Sequence, residues 1–143
     1  LSLLIIDETD NSEFFLYKYN MSNENKKRIN FLKYIYDKSN DKNTFSKNNL
    51  QKIFYFQGKS YLLDAIDFQL FRSNKKNNKL IELKKYFEKL EKPKFPIKAK
   101  IVMEKYKLKE GKELGQKLKD LENLWVENNF YISEKEIENT FLN

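Results

Sequence analysis

Apolar residues recur along this chain every three to four positions almost without interruption, and no stretch alternates with a period of two. That spacing predicts an all-α protein, a bundle of about eight mostly short helices with no β-sheet. A first helix is expected over residues 12–19, with Phe15, Leu16 and Tyr19 inward. Ser22 is placed to cap a longer helix ending near Asp37, whose Ile29, Leu32, Ile35 and Tyr36 form one stripe. The polar run 38–43 reads as a loop. Ser46 caps the next helix, with Leu50, Ile53 and Phe54 inward and Gly58 as its terminator. Residues 61–71 form another helix, through Leu62, Leu63, Ile66 and Leu70. A polar break at 73–78 precedes a helix over 79–90 that buries Leu80, Leu83, Tyr86, Phe87 and Leu90.

Pro93 and Pro96 are the only prolines, and their fixed φ breaks the helical pattern. They divide the chain into a helical region over 1–91, a bent connection at 92–97 and a second helical region over 98–143, with one shared core for the two regions left open. The second region predicts a short helix over 98–106, a turn at Gly111 and a helix over 112–128. That helix carries the row Leu114, Leu118, Leu121, Leu124 and Trp125. Ser133 and Glu136 have the spacing of a capping box for a last helix ending near Leu142.

Only three glycines occur in 143 residues, and Gly111 and Gly115 stand four apart. Gly111 suits the end of a turn, and Gly115, one helical turn later, leaves a bare patch that another backbone can approach. A glycine turn leading into free helix N–H groups can hold a phosphate, or it can simply let two helices pack.

Composition narrows the chemistry. Without cysteine or histidine there is no disulfide, no thiolate or typical zinc site, and no histidine-based acid–base scheme, and a reducing, cytoplasmic setting fits. No apolar run is long enough to span a bilayer, so a soluble chain without a membrane partner is expected. The start at Leu1, with Asp7, Glu8 and Asp10 interrupting the only N-terminal apolar run, is what a segment of a longer protein would show. No Walker sequence, nucleophile elbow or dinucleotide fingerprint is present. Asp64 with Asp67, and Asp7 with Asp10, have the spacing of shared metal ligands, but on amphipathic helices they read as solvated surface.

Charge changes the picture most. The net charge of +7 comes from 26 Lys and two Arg, in company with much Asn, Ile, Phe and Tyr. An AT-rich coding sequence produces that skew whatever the function, but it would spread the lysines evenly. Here residues 1–70 are nearly neutral, residues 71–109 hold 14 basic and four acidic side chains, and residues 110–143 hold four basic and eight acidic. Clustered lysines cannot be buried unpaired, so they line a surface suited to a phosphate backbone. The candidate RNA-binding residues are Lys75, Lys76, Lys79, Lys84, Lys85, Lys98, Lys100, Lys107, Lys109 and Lys112. With two arginines there is little means of bidentate base reading, so recognition through shape and backbone is expected. Tyr17, Tyr34, Tyr55, Tyr61 and Tyr86 could stack on bases, but at helical spacing among Leu and Ile they read as core.

The segments Phe95-Pro96-Ile97, Lys109-Glu110-Gly111-Lys112-Glu113-Leu114-Gly115, Leu118, Leu121-Glu122, Trp125 and Phe130 resemble the C-terminal signature of bacterial class II tRNA nucleotidyltransferases (CCA-adding enzymes) and poly(A) polymerases. In that family a Pro-led segment precedes a Pro-Gly-Pro-x-x-Gly turn and a helix carrying Leu-x-x-Leu-Glu and often Trp. Met21-Ser22-Asn23 and the helices over 50–71 are similar in kind to the family's body helices. Two motifs depart from the pattern: the family's Gly-x-Asp is replaced by Ala99-Lys100-Ile101, and Glu110 and Lys112 stand where prolines flank the glycine. The resemblance implies a body-like region at 1–91 and a tail-like region at 98–143 that grip tRNA along its acceptor–TΨC side. An N-terminal head, outside these residues, would add nucleotides from CTP and ATP with the help of magnesium. No cofactor is implied for this segment itself, which is expected to be inactive alone, and the head domain of the same chain is an expected partner. A helical protein-interaction or oligomerisation module without an RNA role is the alternative.

Overall fold

The computed structural model describes residues 6, 11–73 and 76–142. Within them the chain forms eight helices and no strand: α1 (Ser12–Lys18), α2 (Asn23–Asp37), α3 (Lys47–Phe56), α4 (Lys59–Arg72), α5 (Asn78–Lys89), α6 (Ala99–Tyr106), α7 (Lys112–Glu127) and α8 (Glu134–Leu142). The protein is all-α, as the apolar period requires.

Helix starts follow local chemistry. The Ser22 side chain accepts from Asn25 N–H and that of Ser46 from Asn49 N–H, while Asn77 caps α5 by accepting from Leu80 N–H at 3.0 Å. At α8 the capping box closes in both directions: Ser133 N–H donates to Glu136 Oε2 at 2.8 Å, and Glu136 N–H donates to Ser133 Oγ at 3.3 Å. Gly58 lies just beyond the last turn of α3, at φ +103, and its N–H returns to the Ile53 carbonyl. That left-handed residue turns the chain directly into α4.

The chain divides into two compact units, residues 1–91 and 92–143. In the first, α4 packs against α2, α3 and α5. It suits this central place because Leu62, Ala65, Ile66 and Phe68 give it fully buried positions around much of its circumference. Phe54 of α3 meets Phe87 of α5 at 5.6 Å, and both are almost wholly buried. Each such burial stabilises by about 1.5–3 kcal/mol. Arg28 of α2 grips Asp64 of α4 through two hydrogen bonds of 2.7 Å, and Lys84 of α5 reaches Asp67 of α4 at 2.6 Å. The Asp64 hydrogen bond, and then its charge, hold the Arg28 guanidinium above its ordinary pKa. Asp64 and Asp67 are therefore partly exposed clamps between helices, not merely solvated surface. Asp7 and Asp10 lie outside the described residues.

The second unit is built on Val102, Leu114, Leu121 and Phe141, with Phe95, Ile97, Tyr106 and Ile137 packed against them. The proline segment is extended, so Phe95 and Ile97 turn inward while Lys94, Pro96 and Lys98 stay exposed. Phe95 meets the Trp125 ring edge-on at 5.4 Å, and Phe130 meets the same ring at 5.0 Å. To reach Trp125, Phe130 adopts φ +64 and donates its N–H to the Trp125 carbonyl at 2.8 Å. A left-handed aromatic residue costs about 1–2 kcal/mol, which this contact offsets.

Several expectations change. Tyr19 is 58% exposed and Tyr86 42% exposed, so neither is an inward position of its helix. The left-handed turn after α6 falls on Lys107, at φ +53, and not on Gly111, which is extended and serves as the N-cap of α7. Gly115 is exposed, with nothing within 4 Å of where a Cβ would stand. It does not mediate helix packing among the described residues.

Candidate nucleic-acid interface

The lysines of the basic stretch fall on both units. In the first, Lys76 lies in the connection from α4 to α5, Lys79 in the first turn of α5, and Lys85 farther along it; all three are exposed. Lys85 and Lys89 are one turn apart and lie away from the buried Leu80 and Phe87. Lys84 is different. Its ammonium is engaged by Asp67 at 2.6 Å and lies 3.9 Å from Glu88, so it locks α5 to α4 instead of facing a ligand. Lys75 lies outside the described residues.

In the second unit, Lys98 is the N-cap of α6, Lys100 lies in its first turn, and Lys107 is the left-handed residue that ends it. Lys109 and Lys112 flank Glu110 and Gly111 at the entrance to α7. All five are exposed. Among the described residues none of Lys76, Lys79, Lys85, Lys98, Lys100, Lys107, Lys109 and Lys112 takes part in an ion pair. The acidic residues of the C-terminal third engage other lysines: Glu138 lies 3.8 Å from Lys105, and Glu113 3.8 Å from Lys117.

The start of α7 forms a shallow groove of about 240 Å³ lined by Lys109, Gly111, Lys112 and Lys117, together with Glu110 and Glu113. No side chain caps its first N–H groups. A helix N-terminus favours negative charge, but Glu110 and Glu113 offset part of the local positive charge. The groove is an accessory to the lysine surface, not its centre.

One basic residue lies outside the set expected from the sequence. Arg72, at the end of α4, is exposed, and its guanidinium lies 4.1 Å from the centre of the Tyr36 ring and 5.5 Å from that of Phe68. A cation–π contact of this kind leaves guanidinium N–H groups for an oxygen ligand. Its spacing four residues after Phe68, in a last helical turn, is the available signal. Lys47 of α3 likewise lies over the exposed Tyr86 of α5, at 5.0 Å.

The tyrosines divide. Tyr55 is buried and Tyr61 packs edge-on against Phe31, as core residues do. Tyr17, Tyr34 and Tyr86 are instead 88, 57 and 42% exposed, which leaves their rings available for stacking. Among the described residues no group of three or more carboxylates could hold a metal ion, and no helix is long and apolar enough to cross a membrane.

No known protein family, curated protein or solved structure matches this chain.

Proposed function

We propose that this chain is an RNA-binding segment that anchors tRNA through phosphate contacts, as the C-terminal body and tail of a tRNA nucleotidyltransferase or poly(A) polymerase would. A separate head domain of the same protein would carry the nucleotide chemistry with magnesium. The observation that carries the reading is the set of eight exposed lysines, from Lys76 to Lys112, that no carboxylate neutralises. Exposed lysines without a carboxylate partner gain from a polyanion, whose condensed counterions they release. Arg72, 4.1 Å from the centre of the Tyr36 ring, adds a forked donor next to them in the chain. The sequence resemblance over 95–130 selects tRNA among polyanions.

The test is a tRNA mobility-shift titration across salt concentrations. Changing Lys76, Lys79 and Lys85 together to Gln should weaken binding and lower the slope of log K against log salt by roughly 0.9 for each phosphate no longer neutralised. Unchanged affinity and slope in a folded variant would remove this surface from the RNA interface.

Exposure of Phe14 (66%) and Tyr17 (88%) on α1 favours a second reading, a protein-interaction module. In that case Phe14→Ser with Tyr17→Ser would abolish partner binding, and salt would have little effect.

A further inference from the structure

We propose that the cleft between the end of α2 and the start of α3 binds one unpaired nucleotide of an RNA strand, with the base stacked on Tyr34 and the phosphate held by Lys38. The inference rests on the RNA-binding reading and extends it from backbone contact to capture of a base. The cleft is open to solvent and has a volume of about 450 Å³, inside the roughly 300–1,000 Å³ range of small-molecule sites. Tyr34 lines it with an aromatic ring that is 57% exposed. Lys38, Asp41, Asn43 and Asn48 line it as well, and Lys38 is exposed. A π-face, a cationic edge and amides able both to donate and to accept match the base, phosphate and base edge of a nucleotide. A lining this polar offers little to an apolar ligand.

Hydrogen bonds brace the walls. Thr44, buried in the loop, donates its hydroxyl to the Lys38 carbonyl at 2.6 Å. Asn49 donates its side-chain amide to the Thr44 carbonyl at 2.7 Å, and Asp41 Oδ1 accepts from Asn43 N–H at 2.9 Å. Such bracing lowers the ordering cost of binding. A base within a duplex has both faces covered by its neighbours, so only a single-stranded or splayed nucleotide can reach Tyr34.

Fluorescence anisotropy on the full chain, with a short labelled oligoadenylate and a duplex RNA of equal phosphate count, tests the proposal. Tyr34→Ala should weaken oligoadenylate binding on the order of tenfold and leave duplex binding within about twofold. Tyr34→Phe should keep wild-type affinity, because the ring and not the hydroxyl stacks. Lys38→Gln should lower the single-strand salt slope by about 0.7. The ring is exposed, so these variants should retain the wild-type circular dichroism spectrum, and Tyr131→Ala serves as an exposed-tyrosine control in the other unit. Oligoadenylate affinity unchanged in Tyr34→Ala, or an equal loss on the duplex, overturns the cleft assignment. Loss of tRNA binding on changing Lys76, Lys79 and Lys85, with no effect of Tyr34→Ala, sinks the cleft and keeps the RNA surface. No binding of any RNA by the unaltered chain sinks both.

Discussion

Gly58 and Gly115 show how much one residue's surroundings decide. Gly58 holds φ +103 between two packed helices. There Gly58→Ala should destabilise the protein by about 1 kcal/mol, read as a lower midpoint in urea. Gly115 sits in α7 with open space around it, so Gly115→Ala should stabilise by about 0.5–1 kcal/mol through helix propensity alone. If tRNA binding falls in that more stable variant, the bare patch is reserved for the ligand. Glu136 gives a pH prediction. Hydrogen bonds from the Ser133 backbone, the Ser133 hydroxyl and Asn128 hold its carboxyl below the ordinary value of 4.5. Its contribution to stability is therefore full above about pH 4.5 and is lost as pH falls through the lower folded value. Glu136→Ala should lower the melting temperature slightly at neutral pH and remove that part of the acid dependence. Serine and glutamate three apart make this cap visible in the sequence, because both partners lie within one turn.

At the scale of elements, α5 is the most instructive helix. Phe87 is fully buried against Phe54, whereas its neighbour Tyr86 is 42% exposed beneath Lys47. Phe87→Ala should cost about 3–5 kcal/mol. Tyr86→Ala should cost less than about 1 kcal/mol, and chemical denaturation of the two variants side by side checks the contrast. Periodicity puts both residues on the inner face, since adjacent positions are only about 100° apart and the width of the buried stripe depends on what packs there. Lys84 is illegible in the sequence for a similar reason. Its acidic partner Asp67 lies 17 residues away, on α4, and no spacing within α5 points to it. Gly111 ends the bend into α7, as expected, but the left-handed residue of this connection is Lys107, which the sequence does not announce because glycine is the ordinary signal for one.

For the whole molecule, Lys76, Lys79 and Lys85 in one unit and Lys98, Lys100, Lys107, Lys109 and Lys112 in the other are exposed. The two units can be separated experimentally without cutting the chain. Changing Lys98, Lys100 and Lys107 to Gln and, in a second variant, Lys76, Lys79 and Lys85 to Gln should each weaken tRNA binding and reduce its salt slope. The combined variant should show close to the sum of the two effects if both units touch the RNA. A variant set without effect would confine the RNA to the other unit.

Helix number, helix type, most caps and the basic character of the middle of the chain are properties of nearest neighbours in sequence, and all are readable from the residues alone. They depend on forces that act within a turn or two: hydrogen bonds to free helix ends, burial of one stripe, and the hydration that keeps lysines at the surface. Which tyrosines stay outside, which lysine is tied down, where Arg72 is oriented and whether Gly115 meets anything were decided by tertiary structure. Each of those depends on a second element brought close by folding, and the distance in space between α2, α3, α4 and α5 is not written in the spacing of any one of them.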